Sequence, residues 1–334
     1  KTKPEKIITS NHFSSVLKPL TAKNNIKIET HLRSNHEFLI ISNNFSIQCN
    51  IGKIPISISV SRVTYDKIRN FLESIIGKTF GLWLNIKDRK KMILFIEFDP
   101  SQYSDLIHNI DKNGDKPLFV NRRRPAIWNF KSISILRKNR CKIASPLQFL
   151  TRGEKKQAEI LSLNICQKLE KIWSTEAEFL SSFFSIENFT FWPSISEVLL
   201  KIYKNRMLEY ILLVKFSKKL FEKIDFRSVV SLNTMGETEK TILNTNTNKI
   251  STVLLEHGAS DYLPEISRYD VTSGYRNFDD KIAVWNDYQK KYLIESRKIP
   301  EKRIFVVGSP RHDSFFNKEI LENKYAKKTI LIVL

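Results

Sequence analysis

The pattern of apolar and polar positions divides the chain into stretches of different period. Up to residue 90, alternating or β-branched runs at 25–28, 36–41, 45–51 and 54–60 predict strands. Residues 64–76 then change to helical spacing. Ile68, Phe71, Leu72 and Ile75 fall on one face, and Gly77 is placed as a C-cap. From residue 91 the rhythm is different. A continuous apolar run at 92–98 breaks at Asp99-Pro100. Helical spacing over 101–113 (Leu106, Ile107, Ile110) stops at Asn113-Gly114, and a second apolar run follows at 117–120. Strand, helix, glycine, strand predicts a βαβ unit whose strands are buried on both faces.

A long helical region is predicted over 131–225, punctuated by Pro146, Gly153 and an aromatic turn at 189–193. Its longest piece, 194–225, carries Leu199, Ile202, Tyr203, Leu208, Ile211, Leu212 and Phe216 at broadly helical positions. The aromatic richness here reads as core. After Asp225 the α/β rhythm returns, with strands at 228–232, 252–255, 281–285 and 303–307 and helices at 237–244 and 287–297. Each strand runs into polar or glycine-containing sequence, which places the loops at strand C-terminal ends, where open α/β sheets hold their ligands. The expected fold is α/β: a Rossmann-like parallel sheet with a long helical insertion and a small β-rich N-terminal segment. The expected division is 1–90 as an accessory segment, 91–320 as the Rossmann-like domain with its helical region at 131–225, and 321–334 as a linker and first strand of a further domain.

Composition narrows the function classes. The 334 residues include 41% hydrophobic residues and 22 Phe, enough for a buried core, so disorder is excluded for most of the chain. Cys49, Cys141 and Cys166 are too few and too far apart for a disulfide framework or a thiolate zinc site, and no histidine pair has metal-ligand spacing. No apolar run reaches the length of a membrane-spanning helix, and no apolar stretch follows the charged N-terminus as a secretory signal requires. A start at Lys1 and a stop inside an apolar run suggest a piece of a longer chain, and a cytoplasmic location is expected. Neither a dinucleotide fingerprint nor a P-loop is present, which argues against dehydrogenases and nucleoside triphosphatases. The net charge of +20 is spread through the chain, with modest clusters at 87–91, 122–124 and 215–223. Without an RNP-like strand, zinc-finger spacing or helix-turn-helix signature, nucleic acid is disfavoured as the partner. An anionic membrane surface fits such a basic face better, with the protein peripheral on the inner side of the cell membrane.

Three motifs remain: Leu254-Leu255-Glu256-His257-Gly258, Asp279-Asp280 leading to Lys281–Trp285, and Val306-Val307-Gly308-Ser309-Pro310-Arg311-His312-Asp313. In this order and spacing they resemble the GT-B glycosyltransferases. The nearer likeness is to surface and capsular polysaccharide enzymes related to CDP-glycerol glycerophosphotransferases and UDP-GlcNAc 2-epimerase-like proteins. The resemblance covers about 228–334 and, more loosely, 91–125. Asn286 stands where a glycine often follows the tryptophan. The resemblance implies the N-terminal half of a GT-B fold, with 329–334 as the first strand of a second, nucleotide-binding Rossmann domain that is largely absent from this sequence. It also implies transfer of a sugar or polyol phosphate from a nucleotide-activated donor, as co-substrate, to a glycan or lipid-linked hydroxyl acceptor. No bound cofactor or metal is then needed. A 2-epimerase of the same fold remains open, although Glu256-His257-Gly258-Ala259 matches its usual acidic motif poorly, as does a non-catalytic basic scaffold.

Residue by residue, the resemblance makes His257 a candidate general base for the acceptor hydroxyl. An imidazole titrating near neutrality suits that task, and a hydrogen bond to loop backbone or phosphate is the plainer alternative. Gly258, Gly308, Ser309 and Arg311 are candidate donor-binding residues. A Gly-Ser turn after a buried strand exposes N–H groups suited to phosphate, to which Arg311 would add a bidentate contact. Gly236 and Glu237, with Glu239, occupy an earlier strand-to-helix turn and could orient a sugar hydroxyl. The helix dipole alone also explains acids there. Arg122–Arg124 are either a solvated basic loop or contacts to an anionic acceptor. His312 and Asp313 read as a structural turn and cap.

Overall fold

The structure is a computed structural model. It describes residues 4–9, 14, 17–18, 20–22, 24–30, 44–51, 54–85, 91–186, 189–247, 249–256, 258, 272, 274–275 and 280–313. The chain forms two compact units, 1–71 with 149–216, and 72–148 with 217–334.

In the first unit, β1 (Lys6–Thr9) pairs in parallel with β2 (Lys27–Thr30), and β3 (Asn44–Ile51) forms an antiparallel hairpin with β4 (Ile54–Ser61). The predicted strand at 36–41 lies outside the described residues. The helix predicted at 64–76 spans Arg62–Thr79 and runs through Gly77. Gly77 is therefore no C-cap. Gly77 belongs to the second unit, where its bare Cα lets the end of this helix approach Trp83 and Ile143, both of which a Cβ would meet at 3.3 Å. The helical region includes Arg152–Thr175, Ala177–Phe183 and a single uninterrupted Trp192–Lys223. Thr151 and Glu154 close a reciprocal capping box on the first of these. The aromatic turn is a small hairpin in which β8 (Ser185–Ile186) pairs antiparallel with β9 (Phe189–Thr190). Pro193 is accommodated in the first turn of the long helix, where its missing N–H costs nothing. Trp173, Phe184, Trp192 and Tyr203 form an aromatic cluster with ring centroids 5.1–6.0 Å apart, and the Trp173 indole N–H donates to the Ser196 carbonyl at 3.1 Å. In the same unit, Arg62 forks onto the Glu209 carboxylate at 2.9 and 3.0 Å.

The second unit is built on one seven-stranded sheet, parallel throughout. Its strands are β5 (Met92–Ile96), β6 (Lys116–Val120), β7 (Lys142–Ile143), β10 (Phe226–Ser231), β11 (Thr252–Leu255), β12 (Lys281–Val284) and β13 (Ile304–Val306). Their spatial order is β13-β12-β11-β10-β5-β6-β7. Counted within the sheet, that is 7-6-5-4-1-2-3, the doubly wound order with a seventh strand added. The α/β, Rossmann-like expectation is met. Every residue of β5 is buried, as a strand covered on both faces requires. Phe95, Phe98, Phe119, Ile107, Leu136 and Ile143 belong to one core cluster, and Leu254, Ile282, Val284, Leu293 and Ile304 to a second. β7, only two residues long, lay within the predicted helical region. Its outer edge is covered by 82–84, with Leu84 N–H donating to the Ile143 carbonyl at 3.2 Å and Ile143 N–H to that of Leu82 at 2.8 Å. The strand expected at 329–334 lies outside the described residues. Among the described residues, no helix is long and apolar enough to cross a membrane.

Candidate functional site

Because all seven strands are parallel, their C-terminal ends share one edge. The winding reverses between β5 and β10. At such a switch point the loops after the two strands diverge to opposite faces and leave a crevice.

β5 ends where Glu97 turns the chain at φ 60°, a conformation costing a non-glycine residue about 1–2 kcal/mol. Its carboxylate, 2% exposed, organises the loop after β6. One oxygen accepts from Arg122 N–H at 2.9 Å, the other from Arg123 N–H at 3.1 Å, and the Arg123 Nε lies 3.6 Å away. Arg123 also reaches across to the fully buried carboxylate of Glu239, on the helix Glu237–Asn244 that follows β10. Asn233 Nδ2 donates to the same Glu239 oxygen at 2.9 Å. The other oxygen of Glu239 has no hydrogen-bond partner among the described residues. Burial, the largest influence, pushes the Glu239 carboxyl above its ordinary range. Its own backbone N–H and Arg123 oppose the shift, and Glu97 adds to it.

Gly236 is a glycine for a visible reason. A Cβ there would lie 2.2 Å from a Glu239 carboxylate oxygen. Glu237, the acid nominated beside Gly236, is exposed, and Glu239 is the one turned inward.

Beside this cluster lies a cavity of about 190 Å³ lined by Glu97, Asp99, Tyr103, Asn121, Arg124 and Trp128, among others. Arg124 stacks over the Trp128 ring at 4.9 Å and approaches Asp99 at 3.5 Å. Asn121 Nδ2 fastens the loop by donating to the carbonyls of Phe98 at 2.7 Å and Arg124 at 3.1 Å. Its buried Oδ1 has no partner among the described residues, a state that costs about 1–3 kcal/mol. Trp128 remains 48% exposed. Burial raises the Tyr103 phenol, and the Arg311 charge opposes that rise. Arg311 is therefore close enough to act on the loop after β5, although its own strand is at the far end of the sheet. A larger concavity of about 700 Å³ runs beside the helix Glu237–Asn244, from Thr234 to Asp280. Its described lining carries the charged residues Lys240, Lys249 and Asp280.

The remaining nominated residues follow other strands of the same edge. The Gly258 carbonyl accepts from Gln289 Nε2 at 3.2 Å, and the Gln289 Oε1 accepts from Trp285 N–H at 2.8 Å. The Trp285 indole donates to the Glu256 carbonyl at 2.8 Å. Gly308, at φ 74°, opens a turn closed by His312 N–H to the Ser309 carbonyl at 2.8 Å. The Ser309 hydroxyl pairs with His312 Nδ1 at 2.8 Å, and His312 packs edge-on against Trp285. His257 and Asp279 lie outside the described residues. Among the described residues, no group of three or more His, Cys, Asp or Glu side chains is placed to hold a metal.

Sequence reasoning did not nominate Glu97, Asp99, Tyr103, Asn121 or Trp128. The available signal was an acid directly after a buried apolar strand, twice over, since Glu97 and Asp99 bracket Phe98 at the end of β5. Comparisons with protein-family models, with curated proteins and with solved structures found no match.

Proposed function

We propose that the chain carries the acceptor-side domain of a GT-B-type transferase of cell-surface polysaccharide assembly. It would move a sugar or polyol phosphate from a nucleotide-activated donor to a hydroxyl acceptor. The observation that carries this reading is the gathering of Gly236, Gly258 and the Gly308–Arg311 turn on one edge of a doubly wound parallel sheet, beside a polar cavity at its switch point. The acceptor enters at that edge. The Gly308–Arg311 turn offers a cation and backbone N–H groups to a phosphate. His257, two positions beyond the last residue of β11 in the sequence, takes the acceptor proton as the hydroxyl attacks the activated carbon or phosphorus and the nucleotide departs. Its assignment rests on imidazole chemistry and on the sequence resemblance.

The test is nucleotide release by the protein expressed from its full reading frame. It is assayed with UDP-, GDP-, CMP- and CDP-activated donors, with and without extracted membrane acceptor. Acceptor-dependent release from one donor, lost in His257→Ala while donor binding persists, is the expected result. A folded protein that binds none of the donors overturns the proposal.

A further inference from the structure

From Lys116 to Gln148 the sequence carries nine Lys and Arg and no Asp or Glu. Acids on other elements neutralise part of that excess. Arg123 is engaged by Glu97 and Glu239, Arg124 by Asp99 and Arg140 by Asp111, while Lys142 Nζ donates to the Gly81 carbonyl. The helix Phe130–Lys138, between β6 and β7, is left uncompensated. Its Lys131, Arg137 and Lys138 have no ion-pair partner among the described residues.

Periodicity puts these charges on one face. The helix turns Ser132, Ile133 and Leu136 into the core and leaves Phe130, Lys131, Ser134, Arg137 and Lys138 exposed. At 3.6 residues per turn those five occupy one arc of about 120°, opposite the buried three. The arc contains no acid. Phe130, at its N-terminal end, is 87% exposed, and Trp128, two residues earlier, is 48% exposed. Between them Asn129 caps the helix by accepting from Ser132 N–H at 2.7 Å, so both rings stand on a braced segment.

A phenyl ring left in water beside three uncompensated cations narrows the choice of partner. A second copy of the chain would bring the same cations against these. A nucleic acid would use the cations through its phosphates, but a convex helix face gives it no groove in which to stack bases on the ring. An anionic bilayer uses both features. Its headgroups pair with Lys131, Arg137 and Lys138, while Phe130 and Trp128 enter the boundary between headgroups and acyl chains, where aromatic rings concentrate.

We infer that the outer face of the helix Phe130–Lys138, together with Trp128, is a docking surface for an anionic lipid bilayer. Trp128 lies in the segment that follows β6, at the C-terminal edge of the sheet, so docking brings that edge to the membrane surface. The inference goes beyond the transferase proposal and does not depend on it, because its readout is lipid partitioning and not transfer.

The test is co-sedimentation of the 334-residue chain with vesicles of phosphatidylcholine alone and of phosphatidylcholine mixed with phosphatidylglycerol. Binding to the mixed vesicles is expected, weakened by added salt, with little binding to phosphatidylcholine alone. Replacing Lys131, Arg137 and Lys138 together by Gln is expected to lower the partition coefficient about 100-fold, or about fivefold for each charge. Phe130→Ala is expected to lower it about 10-fold. All four positions are exposed, so the denaturation midpoint of these variants should stay at the wild-type value. The chain carries a net charge of +20, so a charge-matched control is needed. It replaces the exposed Lys291, Lys298 and Lys302, which lie between β12 and β13 at the opposite end of the sheet, and is expected to lose no more than about threefold. Equal loss in the control, full binding by Phe130→Ala, or no preference for the anionic vesicles overturns the surface. Tighter binding to single-stranded RNA, abolished by the same substitutions, also overturns it and assigns the face to nucleic acid.

Discussion

A carboxylate without accessible surface, such as Glu239, titrates differently in the folded and unfolded chain, and the sign of that difference is measurable. Burial lifts its pKa above 4.5, so the native state holds the proton more tightly than the unfolded one. The stability it contributes is fully present at low pH and is lost as pH rises from about 4.5 through the folded value. Glu239→Gln does not titrate. The unfolding free-energy difference between variant and wild type therefore moves in the variant's favour as pH rises above that point, as urea titrations across pH will read. A difference that stays constant with pH refutes the assignment. Gly236 is tied to the same carboxylate. Gly236→Ala places a methyl group where the Glu239 oxygen lies and is expected to cost about 2 kcal/mol, in the range of overpacked cores. In a Glu239→Ala background the same change should cost less than about 1 kcal/mol, and additivity in that double-mutant cycle would sink the explanation. Cys141 is a third case. It is 1% exposed, and burial, helped by Asp111, pushes its thiol far above the usual range. Alkylation of the native protein followed by peptide mapping should leave Cys141 unmodified until denaturant is added, while the half-buried Cys166 reacts in the native state.

Helices position these residues through their first turns, and those turns were partly readable. The Asn286 side chain caps the helix Asp287–Glu295 by accepting from Gln289 N–H at 2.9 Å. Gln289 in turn holds Trp285 and Gly258, so Asn286→Ala should cost about 1 kcal/mol and loosen two loops of the candidate edge together. Faster amide exchange at Trp285 accompanying the lower denaturation midpoint is the expected signature. β5 was legible because a fully buried strand is a continuous apolar run that ends abruptly at polar residues. β7 was not, because two residues carry no period. Gly77 misled because glycine marks both helix ends and close approaches, and only the neighbouring Trp83 and Ile143 distinguish them. At the site, the glycines after strands were legible as turns. The cavity was not, because Glu97 and Glu239, which meet through Arg123, stand 142 positions apart in the sequence and share no local pattern.

For the molecule as a whole, the property no local pattern reveals is strand order, and it has consequences that can be measured. β5 and β10 are adjacent although most of the intervening chain belongs to other elements, and their pairing creates the switch point. A central strand donates and accepts on both sides and is covered on both faces, while β13 is an edge strand with Phe305 and Val306 over 40% exposed. Local opening should therefore begin at the edge, and native-state hydrogen exchange should show the slowest amides in β5 and β10 and faster ones in β13. The same order ranks substitutions. Leu94→Ala removes a fully buried side chain from β5 and should cost about 3 kcal/mol, whereas Phe305→Leu on the edge should cost less than about 1 kcal/mol. Slow exchange in β13 equal to that in β5, or equal costs at the two positions, would contradict this order and with it the location of the crevice. If the ranking holds, the Glu97–Arg123–Glu239 cluster is anchored on the two most protected strands of the sheet. The polar cavity beside that cluster then keeps its geometry while the edge strands open.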